Sequence, residues 1–207
     1  NARAFILCKL LDELGDHPPS QNIDRLATSY LAFLAAALNP GMGRFRNFMS
    51  HGRQWLEESG SEDSHARALW AVGTGAGRSR NPGHQRLSTQ LFERGLAVVE
   101  AFSSPRAWSF TLLGLQEFLR PFPDHPQGRA MRETLTARLI GLWKGYATDD
   151  WPWFESSATY DNARLCQALL ISGEAMGDPE AQEIALKALG WLASVQKTQA
   201  GHFRPIG

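Results

Sequence analysis

The six residues Ser64-His65-Ala66-Arg67-Ala68-Leu69 open a helical pattern, and versions of this motif recur along the chain. The other copies of this first motif are Asn1-Ala2-Arg3-Ala4, Asp161-Asn162-Ala163-Arg164-Leu165 and the looser Arg106-Ala107-Trp108. Each copy begins a stretch in which apolar residues repeat with the 3.6-residue period of an α-helix. The first motif therefore marks the start of a recurring helical unit.

A second motif follows the first at a nearly constant offset. Gly43-Arg44-Phe45-Arg46 lies 40 residues after Arg3, and Gly201-His202-Phe203-Arg204 lies 37 residues after Arg164. Two short motifs at matching offsets indicate structural repetition. The alternative is a set of independent helix starts, because Ala and Arg both favour helices.

Helical periodicity covers most of the chain and predicts eight helices arranged as four hairpins. The predicted helices cover residues 1–14, 23–38, 61–77, 82–102, 105–119, 128–146, 161–176 and 179–196. Breaks are predicted at 15–20 and 39–41, and short extended segments near 43–48 and 201–206. Ser104 before Pro105 and Asp178 before Pro179 are typical of a capping residue followed by proline at the first helical position.

The lengths of the loops suggest how the hairpins stack. The connector 177–180 within a hairpin is short, whereas the loops 40–60 and 147–160 between hairpins are long. This alternation favours an all-α fold of the α/α toroid type over an open solenoid, with a functional site on the long-loop rim. Four hairpins of about 50 residues make about two-thirds of a closed six-hairpin ring. We therefore expect residues 1–207 to form a single, incomplete toroid domain from a longer chain, with apolar broken ends prone to association.

Composition excludes several classes of partner. The 207 residues contain 21 Lys plus Arg and 21 Asp plus Glu, so the formal net charge is zero. A general nucleic-acid binder or an anionic-membrane binder would show a basic excess. No apolar run is long enough to span a membrane. Cys8 and Cys166 lie in apolar helical patterns, which predicts two buried thiols in a reducing, cytoplasmic compartment.

Two longer stretches carry a family resemblance. The first stretch is Gly60-Ser61-Glu62-Asp63-Ser64-His65-Ala66-Arg67-Ala68-Leu69-Trp70. The second runs from Asp150-Trp151-Pro152-Trp153-Phe154-Glu155 to Tyr160-Asp161-Asn162-Ala163-Arg164-Leu165. Both resemble bacterial proteins of the six-hairpin glycosidase-like superfamily. These proteins are often described as glycosyltransferase-associated. The resemblance covers nearly the whole chain and implies an (α/α)6 toroid and carbohydrate chemistry. Related toroids include hydrolases, lyases, phosphorylases and sugar 2-epimerases, so the reaction stays open.

The loop Asp149-Asp150-Trp151-Pro152-Trp153-Phe154-Glu155 is the first candidate for substrate contact. Aromatic faces stack on the flat C–H faces of sugars, and carboxylates bind hydroxyls or move protons. Trp151 and Trp153 are therefore predicted to contact a saccharide. The alternative interpretation is an aromatic plug that packs the loop onto the helices.

Three carboxylates are candidates for catalysis. Asp63 and Asp161 each precede an Ala-Arg helix start, where the alternative role is plain N-capping. Glu155 is the predicted proton donor, because neighbouring aromatics raise a carboxyl pKa by desolvation. Asp161 or Asp63 would then act as the base, since glycoside cleavage requires paired carboxylates on opposite sides of the sugar.

The remaining predicted substrate contacts surround these acids. They are His65, Arg67, Tyr160, Asn162 and Arg164. His65 could alternatively be a hydrogen-bonded structural residue or, in an epimerase-like toroid, a proton shuttle. The repeated arginines Arg3, Arg67 and Arg164 could instead form structural ion pairs.

Other motifs predict no cofactor and no metal. The six histidines lack close metal-ligand spacing, and no HExxH or CxxC occurs. Gly73-Thr74-Gly75-Ala76-Gly77 follows a helix rather than a strand, which predicts a helix C-terminus and turn instead of a phosphate-binding loop. The leading hypothesis is a glycoside hydrolase-like enzyme acting on a saccharide. A sugar isomerase or 2-epimerase and a non-catalytic carbohydrate-binding helical array remain alternatives.

Overall fold

The computed structural model describes residues 1–15 and 22–205. Within those residues the fold comprises eight α-helices, one 3-10 helix and one two-stranded sheet, which confirms the predicted all-α class. The helices are α1 (Ala2–Leu14), α2 (Ile23–Ala37), α3 (Glu62–Arg78), α4 (Pro82–Leu96), α5 (Pro105–Phe118), α6 (Pro126–Tyr146), α7 (Asn162–Met176) and α8 (Pro179–Val195). Residues 16–20 of the first predicted break and residue 206 of the last extended segment lie outside the described residues.

Side-chain caps begin several helices as the sequence predicted. The Ser104 hydroxyl accepts a hydrogen bond from the Ala107 N–H at 3.3 Å, and the Asp178 carboxylate accepts one from the Ala181 N–H at 3.1 Å. Each cap satisfies a backbone donor that has no partner within the first helical turn. The predicted end of the fourth helix at Phe102 is wrong, because α4 ends at Leu96 and a 3-10 helix (Ala97–Ala101) follows.

The chain divides into two compact units, Asn1–Arg129 (the N-terminal unit) and Ala130–Gly207 (the C-terminal unit). In the N-terminal unit α3 contacts α1, α4 and α5, and α2 contacts α1 and α4. Helix α3 thus contacts both of the other odd-numbered helices of this unit, α1 and α5. Helices α2 and α4 contact each other in a second layer. Stacked helical hairpins have this pattern of neighbours. A single toroid domain over residues 1–207 and closure of the helices into a ring stay predictions.

Glycines allow α3 and α5 to approach each other closely. A Cβ atom at Gly73 would lie well inside van der Waals contact with the Gly114 carbonyl oxygen, and one at Gly77 would do the same with the Glu117 carbonyl oxygen. The predicted helix end near residue 77 is confirmed, because α3 ends at Arg78, but the predicted turn at 73–77 is wrong, because these residues are still helical. The glycines are needed for packing between two helix backbones rather than for a turn.

The two copies of the second motif adopt the same local structure. Phe45 pairs in antiparallel fashion with Leu38 in the small sheet of β1 (Leu38–Asn39) and β2 (Arg44–Phe45). Phe203 forms an antiparallel bridge with Lys197. Both pairs follow shortly after a helix, so each predicted extended segment contains an antiparallel pair within its described residues.

Equivalent backbone geometry extends beyond the two phenylalanines. The Arg46 N–H donates to the Ala37 carbonyl oxygen at 2.9 Å, and the Arg204 N–H donates to the Gln196 carbonyl oxygen at 2.7 Å. Gly43 has φ 65° and Gly201 has φ 82°, a left-handed conformation that glycine adopts without steric cost. The second motif is therefore a repeated structural element.

In the C-terminal unit, α7 packs against α8. The fully buried residues of this pair include Leu165, Leu169, Ala181 and Ala188. Cys166 is also buried, and desolvation raises the pKa of its thiol to about 12. In the N-terminal unit, burial raises the pKa of the Cys8 thiol as well, so both cysteines are buried thiols as predicted.

Candidate functional site

A cavity of about 410 Å³ in the N-terminal unit is the main candidate site. It lies where α1 and α3 begin, α2 ends and β2 passes. Its polar lining comprises Asn1, Arg3, Arg46, Asn47, Ser61, Asp63, Ser64 and Arg67, and its apolar lining includes Phe33, Leu34, Phe45 and Ala68. Small-molecule sites of this size combine an apolar wall with a few polar groups that fix the ligand's orientation.

Asp63 and Arg67 form the charged pair of this cavity. They lie four residues apart on α3, so both side chains project from one face of the helix. The Arg67 Nε donates to the Asp63 carboxylate at 2.8 Å, and the Arg67 guanidinium lies 4.0 Å from the centroid of the Phe110 ring. The Ser61 hydroxyl caps α3 by accepting from the Ser64 N–H at 3.1 Å. The Asp63 carboxylate therefore faces a cation and does not serve as the cap.

Phe45 and Arg46 of the second motif also line the cavity. Arg46 donates to the Glu58 carboxylate at 3.0 Å and lies over the Trp55 ring, with 5.7 Å to its centroid. Trp55 in turn packs against Phe33, with ring centroids 5.6 Å apart. Phe33 and Asn47 were not among the predicted site residues. The repeated Gly-Arg-Phe-Arg motif was the signal that could have indicated that residues near Phe45 lie next to the first motif.

His65 lies outside the cavity lining and is fully buried. Its Nδ1 accepts a hydrogen bond from the Phe45 N–H at 3.0 Å, and its Nε2 donates to the Gly95 carbonyl oxygen at 2.9 Å. Desolvation lowers the pKa of His65 to about 4, so the ring is neutral near pH 7. Both ring nitrogens are occupied by backbone groups, which favours the structural interpretation over substrate contact or proton shuttling.

The predicted aromatic loop lies in the C-terminal unit, where its tryptophans pack against Trp191 of α8. The Trp151 indole N–H donates to the Glu155 carbonyl oxygen at 2.7 Å, which closes the loop on itself. The Trp191 ring of α8 lies 4.7 Å from Trp151 and 5.3 Å from Trp153, centroid to centroid. Trp153 is fully buried, so it acts as the plug that the alternative interpretation described. Trp151 is only partly buried.

The start of α7 holds the other predicted residues. Asp161 occupies the N-cap position with φ 48° and ψ 30°, and its side chain makes no capping hydrogen bond. Asn162 is buried and bonds the backbone of Thr159 twice, through its Oδ1 at 3.0 Å and its Nδ2 at 3.2 Å. Arg164 donates to the Gln167 side chain, and Tyr160 is about half exposed.

The structure thus groups the predicted residues by unit. Asp63 and Arg67 share the cavity of the N-terminal unit. Glu155 lies on the aromatic loop of the C-terminal unit, and Asp161 lies at the start of the helix that follows this loop. Pairing of Asp63 with Glu155 or Asp161 stays a prediction.

Two further features of the described part of the chain bear on the kind of site. Residues 1–15 and 22–205 contain no group of three or more His, Cys, Asp or Glu side chains arranged to hold a metal ion. Among these residues no helix has the length and apolar character needed to cross a membrane.

No protein-family model, curated protein sequence or solved structure matches this chain.

Proposed function

We propose that this chain is a carbohydrate-active protein of the α/α toroid type that binds a saccharide in the cavity of its N-terminal unit. The observation that carries the proposal is the lining of that cavity, which includes the Asp63–Arg67 pair, Asn47 and Phe33. Carboxylate, guanidinium and amide groups hydrogen-bond sugar hydroxyls, and an aromatic face packs on the sugar's C–H groups.

The proposed reaction is glycoside hydrolysis by paired carboxylates. Glu155 donates a proton to the leaving oxygen, and Asp161, which lies in the same unit, acts as base or nucleophile. Glu155 is assigned the donor role because it directly follows the aromatic residues Trp153 and Phe154 in the loop. A carboxyl separation of about 5 Å would make the enzyme retaining, and one of about 6.5–9.5 Å inverting.

Non-catalytic saccharide binding is the second candidate. The observation that favours it is the 2.8 Å hydrogen bond between Arg67 and Asp63, because a carboxylate held by a guanidinium stabilises a ligand-binding surface without transferring a proton. An epimerase that uses His65 is disfavoured, since that ring is buried and both of its nitrogens are bonded to backbone atoms.

The proposal is tested by measuring binding and turnover on a panel of neutral and acidic glycans. We expect Asp63→Asn to weaken binding, and Glu155→Gln to lower kcat by at least about a hundredfold while it leaves binding intact. Glu174→Gln, an exposed carboxylate on α7, is the matched control and should change neither quantity. Binding without turnover in the unmodified protein would select the second candidate. Absence of binding to every glycan would overturn the proposal.

A further inference from the structure

Lys9 of α1 is fully buried, which is rare for a lysine because moving an ammonium group out of water is costly. Its hydrogen-bond partner is a ring nitrogen rather than a carboxylate. The Lys9 Nζ lies 3.3 Å from the Nδ1 of His84 on α4, whereas the partly exposed Asp12 carboxylate lies 3.9 Å away. The buried ammonium group therefore depends on an imidazole for its hydrogen bond.

The contact with Lys9 fixes which nitrogen of His84 carries a proton. An ammonium group has donors and no acceptor, so Nδ1 must accept and is unprotonated. The proton of the neutral ring then lies on Nε2, which donates to the Thr28 hydroxyl at 2.8 Å. That hydroxyl in turn donates to the Asp24 carbonyl oxygen at 2.8 Å. A directed chain of hydrogen bonds thus runs from α1 through α4 to α2.

The Asp24 carboxylate offers the same ring an alternative partner. It is exposed and lies 3.6 Å from Nδ1 of His84. The neutral ring has no Nδ1 proton to donate to it, but the imidazolium form has one. Among the described residues, the charged groups that act on the ring are Lys9 and Asp12 of α1 and Asp24 of α2. Burial, followed by the charge of Lys9, lowers the pKa of His84, so the ring is neutral near pH 7.

We propose that Lys9, His84 and Asp24 form an acid-operated switch, in which Nδ1 of His84 exchanges a partner on α1 for a partner on α2. While His84 is neutral, Nδ1 accepts from Lys9 and ties α4 to α1. When the ring takes a proton from water, Nδ1 becomes a donor and bonds the Asp24 carboxylate. The buried Lys9 ammonium group then loses its hydrogen bond and faces a second cation, so α1 is no longer held to α4 at this point.

The two helices that exchange the bond also build the candidate site. Arg3 on α1 and Phe33 and Leu34 on α2 line the cavity of the N-terminal unit. Opening of the switch therefore acts on helices that form the cavity wall. The inference does not rest on saccharide binding, because it concerns protonation and helix contacts in the chain without a ligand.

The first test is an NMR titration of the His84 ring nitrogens in the full 207-residue chain. We expect a proton on Nε2 and none on Nδ1 near pH 7. Lys9→Met replaces the cation with an apolar side chain of similar length, so His84 should titrate at a higher pH in this variant. Lys187→Met, at an exposed lysine of α8, is the matched control and should leave the His84 titration unchanged. A proton on Nδ1 near pH 7, or the same His84 titration in Lys9→Met, would overturn the proposal.

The second test is hydrogen exchange of the α1 amides as the pH is lowered, corrected for the intrinsic exchange rate. In the unmodified chain the population of opened α1 should rise by up to about tenfold per pH unit, the slope of a one-proton uptake. His84→Gln keeps an acceptor and a donor but takes up no proton, so its acid dependence should be less steep. His65 is present in both proteins, so its own response to acid cancels in the comparison. Equal acid dependence in the two chains would overturn the proposal, and circular dichroism establishes beforehand that each variant is folded.

Discussion

At the residue scale, His65 links three elements through one neutral ring. Phe45 in β2 donates to its Nδ1, and Gly95 in α4 accepts from its Nε2. The Phe45 and Phe102 rings lie 5.2 and 5.3 Å from it. Protonation would replace the acceptor at Nδ1 with a second donor that faces the Phe45 N–H. The fold therefore binds the neutral form of His65 and is weakened by acid.

We predict that His65 makes the protein less stable as the pH falls below its unfolded-state pKa of about 6.5. The folded-state pKa is about 4, so the unfolded chain binds more protons between these values and stability rises with pH. Between pH 7 and pH 5 this residue should reduce the free energy of unfolding by about 2 kcal/mol. Urea denaturation at several pH values measures the effect.

The variant His65→Gln isolates that contribution. The glutamine amide offers an acceptor oxygen and a donor N–H group and gains no proton in this pH range. The loss of unfolding free energy between pH 7 and pH 5 should therefore be smaller by about 2 kcal/mol. His51→Gln, in an exposed loop, is the control and should show the same loss of unfolding free energy as the unmodified protein. His84 contributes in the same direction, since burial and Lys9 lower its pKa. An unchanged pH dependence in His65→Gln would contradict the assignment.

At the element scale, the close approach of α3 to α5 depends on glycine. We predict that Gly73→Ala lowers the free energy of unfolding by about 2 kcal/mol, because the added methyl group meets the backbone of α5. Gly190→Ala on α8 is the matched control. A Cβ there has nothing within 4 Å, so the better helix propensity of alanine should stabilise the protein by about 0.5–1 kcal/mol. Thermal and denaturant unfolding measure whether each variant is less or more stable than the unmodified protein. Stabilisation by both variants would contradict the packing explanation.

At the scale of the whole molecule, the chain divides into two compact units, Asn1–Arg129 and Ala130–Gly207. His65 and Gly73 lie in the first unit, and Gly190 lies in the second. The stability effects predicted for these residues therefore arise in the unit that contains each of them.

Local features of the fold could be predicted from the sequence because their causes lie within a few residues. The 3.6-residue period located eight helices, and the Ser104-Pro105 and Asp178-Pro179 pairs marked two helix starts. These signals act through backbone hydrogen bonds and caps that join residues three or four apart. The end of α4 was missed because the step from an α-helix to a 3-10 helix depends on the packing of the last turn.

The candidate site was predicted only in part. Asp63 and Arg67 were identified from their motif, and the structure places both in the cavity lining. Phe33 was not among the predicted site residues, because its position in the same lining depends on how α2 meets β2. His65 carries the residue type of a catalytic base, yet its two backbone partners lie 20 and 30 residues away.

The sequence by itself determined the helices, their caps and the two repeated motifs, because short-range backbone and side-chain chemistry is sufficient for these. Only the tertiary structure decided which copy of a motif is covered. Phe45 and Phe203 have the same local structure, but α3 buries the first and the second stays exposed. Burial is set by elements far away in the chain, so similar local sequences acquire different environments.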